Sequence, residues 1–278
     1  MDHRPSGIDP YPLFGIYFAY RGKLYEHTSR ALMSNKTFAK KAVLAALLVL
    51  PFLIYFVFVY SSEENFFQTL DYVGPERLAP NGDTLPYQLP PFEYRNQHDT
   101  LLSQAELEGQ IYVASFFFTS CPTVCPAMNY HLKKVQDRFA GYENFKLVSF
   151  SVDPTYDTPE VLNRYAEKIG ALEGCWHFLT GEKEALYKTA QAYFLSAMED
   201  STAPGGYLHS EQVVLVDWAG RPRSRRDEQG NLKAVYQGTS LEEINKLIDD
   251  IKVLIAEYEK KKSMDEYQEE KKRKANEG

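Results

Sequence analysis

Two cysteines four positions apart, Cys121 and Cys125, sit in the run Thr119-Ser120-Cys121-Pro122-Thr123-Val124-Cys125-Pro126, directly after the apolar stretch Ile111 to Phe118. That order predicts a strand delivering both thiols to the start of a helix. A helix N-terminus offers unpaired N–H groups and the positive end of the peptide dipole, which lower a thiol's pKa and favour thiolate. Thiolate is the form that attacks disulfides and binds soft metal ions. If both residues take helical geometry, their i, i+4 spacing sets them on one face. There they can close into a disulfide or hold one copper or zinc ion. The alternative is a pair of buried structural cysteines, and two prolines at a strand-to-helix junction argue against it. A selective, exchangeable metal site needs more than two thiolates. Soft sulfur selects Cu(I) and imidazole suits copper in either oxidation state, so a histidine is the expected third ligand. His98, His131, His177 and His209 are the candidates; His3 and His27 precede the long apolar segment.

The chain of 278 residues has room for one sizeable domain with appendages. Its net charge of −7 excludes a generic nucleic-acid binder, and 3 cysteines are too few for a disulfide scaffold. Ala42 to Tyr60 carries no charge over 19 residues, about the roughly 20 apolar residues needed to span a bilayer as a helix. Pro51 lies mid-span, where membrane helices tolerate it. Lys23, Arg30, Lys36, Lys40 and Lys41 precede it against Glu26; Glu63, Glu64, Asp71 and Glu76 follow it, with no Lys or Arg before Arg77. The positive-inside rule then places residues 1–41 in the cytoplasm and everything after Ser61 on the far, oxidising side. Residues 61–88, with Pro75, Pro80, Pro86, Gly74 and Gly82, read as an extended linker.

A globular domain is expected over 89–258. Ile111–Phe118 and Phe145–Val152 are continuous apolar runs, as in strands buried on both faces. Met128, Leu132, Val135 and Phe139 mark a helix over 127–139, Thr158-Pro159-Glu160 caps another, and Glu182–Leu195 is a third. Gln212–Val216 reads as a strand with Leu232–Tyr236 as its hairpin partner, and Ser240–Tyr258 as the terminal helix. Strands alternating with helices, then a hairpin and a last helix, indicate an α/β fold, a thioredoxin-like three-layer sandwich with one N-terminal transmembrane helix. Residues 259–278 form a charged tail, read as frayed helix or disordered.

In such a sheet the loop entering the strand Gln212–Val216 sits beside the cysteine-bearing helix start. His209 lies in that loop, after the flexible approach Ser201 to Gly206, and is the strongest third ligand; a solvent-bonded loop histidine fits its position equally. His131 is expected exposed on its helix and His177 outward on a short strand. Met128 is first a core residue and Cys175 a small buried hydrophobe. Asp153-Pro154 and Asp157-Thr158-Pro159 read as turn and cap chemistry, with Asp153 placed where it can touch the site.

Cys121 to Pro126, Ser151-Val152-Asp153-Pro154 with Asp157-Thr158-Pro159, Trp176 to Gly181 and His209-Ser210 before a strand together resemble the Sco/SenC family over about residues 92–258. The resemblance implies a membrane-anchored, thioredoxin-like copper-binding protein that assists assembly of cytochrome c oxidase. It implies one copper ion per chain on Cys121, Cys125 and His209, with oxidase subunit II or another copper-accepting protein as recipient. One departure is Leu208, where the family usually has an acidic residue before the histidine. The alternative is a thiol-disulfide oxidoreductase in which Cys121 attacks and Cys125 resolves, although dedicated enzymes of this fold generally use C-x-x-C. A peroxidase is weaker still, since no Arg lies between Arg95 and Arg138. Lack of a transit peptide favours a bacterial inner membrane, single pass, with the domain in the periplasm.

Overall fold

A computed structural model of the chain describes residues 40, 41, 43–57, 69–200, 202 and 206–276. The chain divides into two compact units, Met1–Phe67 and Gln68–Gly278. In the first, residues 40, 41 and 43–57 are helical, and residues 43–57 are labelled α1. Its large apolar side chains stand exposed, Leu48 and Phe52 at 72% each. Among the described residues no helix is long and apolar enough to cross a membrane. Ala42 and 58–60, the ends of the expected 19-residue segment, lie outside the described residues, as do residues 1–39.

The second unit is built on β6 (Ile111–Phe117), whose seven residues are all buried. It runs parallel to β7 (Phe145–Ser151), and β7 parallel to β8 (Trp176–Thr180). The remaining pairings are antiparallel. They bring in β4 (Glu93–Asn96) and β5 (Leu101–Ser103) beyond β8, and β11 (Gln212–Val216), β12 (Pro222–Ser224) and β1 (Asp71–Tyr72) beyond β6, giving the order β1-β12-β11-β6-β7-β8-β4-β5. Two short hairpins, β2–β3 (Arg77–Leu78, Thr84–Leu85) and β9–β10 (Ala197–Glu199, Tyr207–His209), stand apart from it.

Alternation along β6 sends successive side chains to opposite faces. Tyr112 bonds Tyr193 across 2.8 Å and Phe116 stacks on Phe150, while Tyr94 bonds Thr189 on α4 (Lys183–Ala192). On the other face Phe117 meets Tyr165 of α3 (Pro159–Ile169), which bonds Asn129 of α2 (Val124–Phe139). The terminal helix α5 (Leu241–Asn276) packs beside α2. Helices thus cover both sides of a mixed sheet, the expected three-layer α/β arrangement. Capping behaves as its chemistry requires: Thr158 accepts from the Val161 N–H, Pro159 opens α3, and Gly170 closes it in the left-handed region.

Three expectations are corrected. Residues 69–88 are not an extended linker: Leu70 and Val73 are buried, and β1 extends the sheet through β12. The hairpin partner of β11 is β12, because the turn at Asp217 closes within five residues, whereas of Leu232–Tyr236 only Tyr236 pairs with β11, in β13 (Tyr236–Gln237). The helix expected to end at Tyr258 runs on to Asn276. Ile244, Leu247, Ile251 and Leu254 bury one stripe of it; beyond Tyr258 every residue to Asn276 is exposed, and i, i+4 pairs such as Lys261–Asp265 and Lys274–Glu270 support strong helix formers.

Arg223, only 3% exposed, ties these parts together by donating to the Leu70 carbonyl, Asp217 and Glu257. Removing it leaves the Leu70 carbonyl without its side-chain donor and takes one of two guanidinium partners from buried Asp217, which keeps Arg221, so Arg223→Ala is expected to cost about 1–3 kcal/mol of stability. Arg226→Ala, which breaks an exposed pair with Asp71, should cost about 1 kcal/mol or less. Urea unfolding of both variants checks this, and equal losses would show that the buried guanidinium is not what holds the edge.

Candidate metal centre

The cysteines converge through a turn, not through helical spacing. The central strand ends at Phe117, Cys121 N–H donates back to the Phe118 carbonyl at 3.2 Å, and α2 begins only at Val124. Cys125 is therefore in the first helical turn and Cys121 in the loop just past the central strand, as a strand delivering both thiols to a helix start requires, and the condition for i, i+4 spacing on one helix face is not met. Pro126 fits the first turn, where its missing N–H costs nothing. The turn is held by Asp157, fully buried, which accepts from the Thr119 N–H at 3.1 Å, the Thr119 hydroxyl and the Ser151 hydroxyl. Burial pushes its carboxyl up, and these bonds oppose that. Sequence reasoning assigned Asp157 to the cap of α3; its bridge to Thr119 spans 38 positions and leaves no local signal.

Of the four candidate histidines, His209 reaches the sulfurs. Its Nε2 is 3.2 Å from Cys125 Sγ and 3.8 Å from Cys121 Sγ. Among the described residues these three form the one cluster of metal-ligand type, with ligand atoms all within 4.8 Å of one another. His98 is exposed in the turn after β4. His131 is half-buried rather than exposed, because its Nδ1 donates to the Gly238 carbonyl at 3.0 Å. His177 is also half-buried; desolvation holds it well below its ordinary value, at about 4. Met128 is fully buried and Cys175 is a buried free thiol raised by desolvation, both as expected.

The backbone sets the histidine's tautomer. Nδ1 lies 3.0 Å from the Ser210 carbonyl oxygen, which only accepts, so Nδ1 carries a proton and Nε2 is the ring nitrogen that faces the sulfurs as a ligand atom. Metal-ligating histidines generally donate their other ring N–H to a carboxylate, a carbonyl or water, and here a carbonyl serves. Phe118 packs edge-on against the ring at 5.5 Å. The thiols share their proton unequally. The Cys125 thiol donates to the Cys121 sulfur, and this bond, with smaller ones from the Cys125 and Thr123 N–H groups, holds Cys121 far below its ordinary value against the opposing effect of burial. Cys125, 1% exposed and donating, is pushed up. Two sulfurs and one ring nitrogen make a soft, low-coordinate site suited to Cu(I) and equally capable of closing to a disulfide.

A family model described as SCO1/SenC matches residues 84–246. A SCO1 protein homolog of Bacillus subtilis (strain 168) is 28% identical over 173 residues, 61% of this chain and 84% of its own length. Among solved structures, a SCO1/SenC family lipoprotein from Bacillus anthracis str. Ames aligns with a TM-score of 0.53 at 29% identity, covering 61% of this chain and 95% of that one. BsSco, described as a member of the Sco family of cytochrome c oxidase assembly proteins with a disulfide switch, aligns at 0.51 and 28% identity over 60% and 93%. Other Sco proteins have been crystallised with copper bound.

Because Cys121 holds the thiolate, iodoacetamide should label it before Cys125 in the reduced protein. The pH midpoint of that reaction should fall well below the ordinary thiol value of about 8.5. Peptide mapping over a pH series reads both, and first labelling at Cys125 would reverse the assignment.

Proposed function

The chain belongs to the SCO1/SenC family, and on that premise we propose that it is a copper-binding metallochaperone that helps assemble the copper centre of cytochrome c oxidase. Copper is its cargo, one ion per chain, held by Cys121, Cys125 and His209. The observation that carries this reading is the convergence of two sulfurs and one correctly tautomerised nitrogen within 4.8 Å. Thiolate must be formed to bind metal, so loading displaces the proton held by Cys125 while Cys121 has already lost its own. Three ligands leave an open position through which a recipient's ligands enter, and the ion leaves by exchange. The recipient is subunit II of the oxidase or another copper-accepting protein.

A single N-terminal membrane helix over 42–60 would tether the domain at a bacterial inner membrane, facing the periplasm. Support comes from the exposed apolar side chains along 43–57 and from the charge asymmetry around them. A reporter active only in the cytoplasm, fused after Gly278, should be silent; activity there overturns the orientation.

A second reading is favoured by the low Cys121 thiol beside Cys125: thiol-disulfide exchange with a partner's cysteines. The two are separated by His209→Ala. Carriage requires copper affinity to fall by more than the roughly 10- to 100-fold that loss of an outer-shell partner costs, with the Cys121–Cys125 couple still able to oxidise and reduce. Cys121→Ser and Cys125→Ser should lose both properties, and Cys175→Ser neither. Anaerobic copper titration with X-ray absorption, alongside redox titration, decides. Unchanged affinity in His209→Ala removes the histidine from the site, and a wild-type protein that holds no copper moves the assignment to the oxidoreductase.

A further inference from the structure

His209 lies on a hairpin that stands off the main sheet, since β9 and β10 pair with each other and with no other strand among the described residues. Backbone continuity into β11 does not by itself fix where the ring points. Besides His209 itself, two side-chain ties can be followed outward from the hairpin's described strands. Lys183 meets Glu199, a pair with both partners substantially exposed, and such pairs contribute little. The other is Tyr207 Oη, which donates to Asp153 Oδ1 at 2.8 Å. Tyr207 and His209 are two apart on one strand and so share a face, and both rings rest against Phe118, at 5.3 and 5.5 Å.

Asp153 is a firm anchor. It is 8% exposed, its N–H bonds Ser151 Oγ, and its carbonyl accepts from the Tyr156 and Asp157 N–H groups. Asp157, closing that same short turn, holds Thr119 beside Cys121. One turn after β7 therefore grips the cysteine arm through Asp157 and the histidine arm through Tyr207. We propose that Tyr207 is a positioning residue: its hydroxyl, bonded to Asp153, holds β10 so that His209 Nε2 rests at the two sulfurs before any metal arrives. The consequence for copper affinity rests on the metallochaperone reading; the positioning itself does not.

Tyr207→Phe deletes the hydroxyl and keeps the ring on Phe118. In the reduced, metal-free, 15N-labelled full chain, the His209 ring nitrogens should report a single Nδ1–H tautomer in the wild type and an exchange-averaged pair in Tyr207→Phe. Reaction of His209 with diethylpyrocarbonate should be several-fold faster in the variant. Asp153→Ala should reproduce both changes, the double variant should be no worse than either, and Asp153→Asn, which keeps an acceptor oxygen, should stay near wild type. Glu199→Gln serves as the control for the exposed tie and should change nothing. With copper, Tyr207→Phe should bind about tenfold more weakly, while the Cys121–Cys125 potential stays put and the unfolding midpoint falls only by the loss of one hydrogen bond to Asp153. Ring signals and modification rate unchanged in both Tyr207→Phe and Asp153→Ala would overturn the proposal. Altered ring signals in a protein whose wild type binds no copper would uphold the positioning while removing the copper reading.

Discussion

Two carboxylates in one short turn, Asp153 and Asp157, bear on everything at the sulfur end of this sheet. A carboxylate taken out of water must be met by donors. Asp157, wholly buried, is met by Thr119 and Ser151, and Asp153 by Tyr207. Those donors are not incidental neighbours, because Thr119 begins the turn that carries Cys121 and Tyr207 begins the strand that carries His209. The need to satisfy buried oxygens thus becomes a geometric constraint on the distance between sulfur and nitrogen. β7, parallel to β6 and buried throughout its last five residues, gives the turn a rigid base.

On that base the chemistry follows from what each donor atom is allowed to do. The neighbouring thiol and the N–H groups at the helix start favour thiolate at Cys121, while donation to that sulfur, and then burial, keep the remaining proton on Cys125. The Ser210 carbonyl takes the histidine's Nδ1 proton, so Nε2 is a ligand without further rearrangement. Soft sulfur in a largely buried pocket suits Cu(I), and the same proximity suits a disulfide. Metal carriage and thiol exchange are two uses of one geometry, separated by whether nitrogen is needed.

The two ends of the chain expose long helical surfaces for opposite reasons. Along 43–57 the exposed side chains are apolar, a surface that water disfavours and that a lipid or protein environment would cover. Beyond Tyr258 the exposed helix is charged on all sides and supports itself through pairs such as Lys274–Glu270. Calling this second segment frayed or disordered from its polarity alone overlooked its local helix propensity, which needs no buried stripe when the preceding turns are already docked by Leu247, Ile251 and Leu254.

What the sequence determined is whatever depends on near neighbours. Continuous apolar runs announced β6 and β7, Thr158-Pro159 announced the start of α3, and two cysteines beside two prolines announced the chemistry, because burial, capping and thiol proximity are encoded within a few residues. Tertiary structure decided the rest. His209 meets Cys125 across 84 positions, Tyr207 meets Asp153 across 54, and Thr119 meets Asp157 across 38. The hairpin that brings Tyr207 and His209 there, β9 with β10, has strands only three residues long, too short for a period-2 pattern to be read. Hydrophobic periodicity states which side chains go inside. Only the packed sheet, through its register and its need to pair every buried polar atom, states which of them meet.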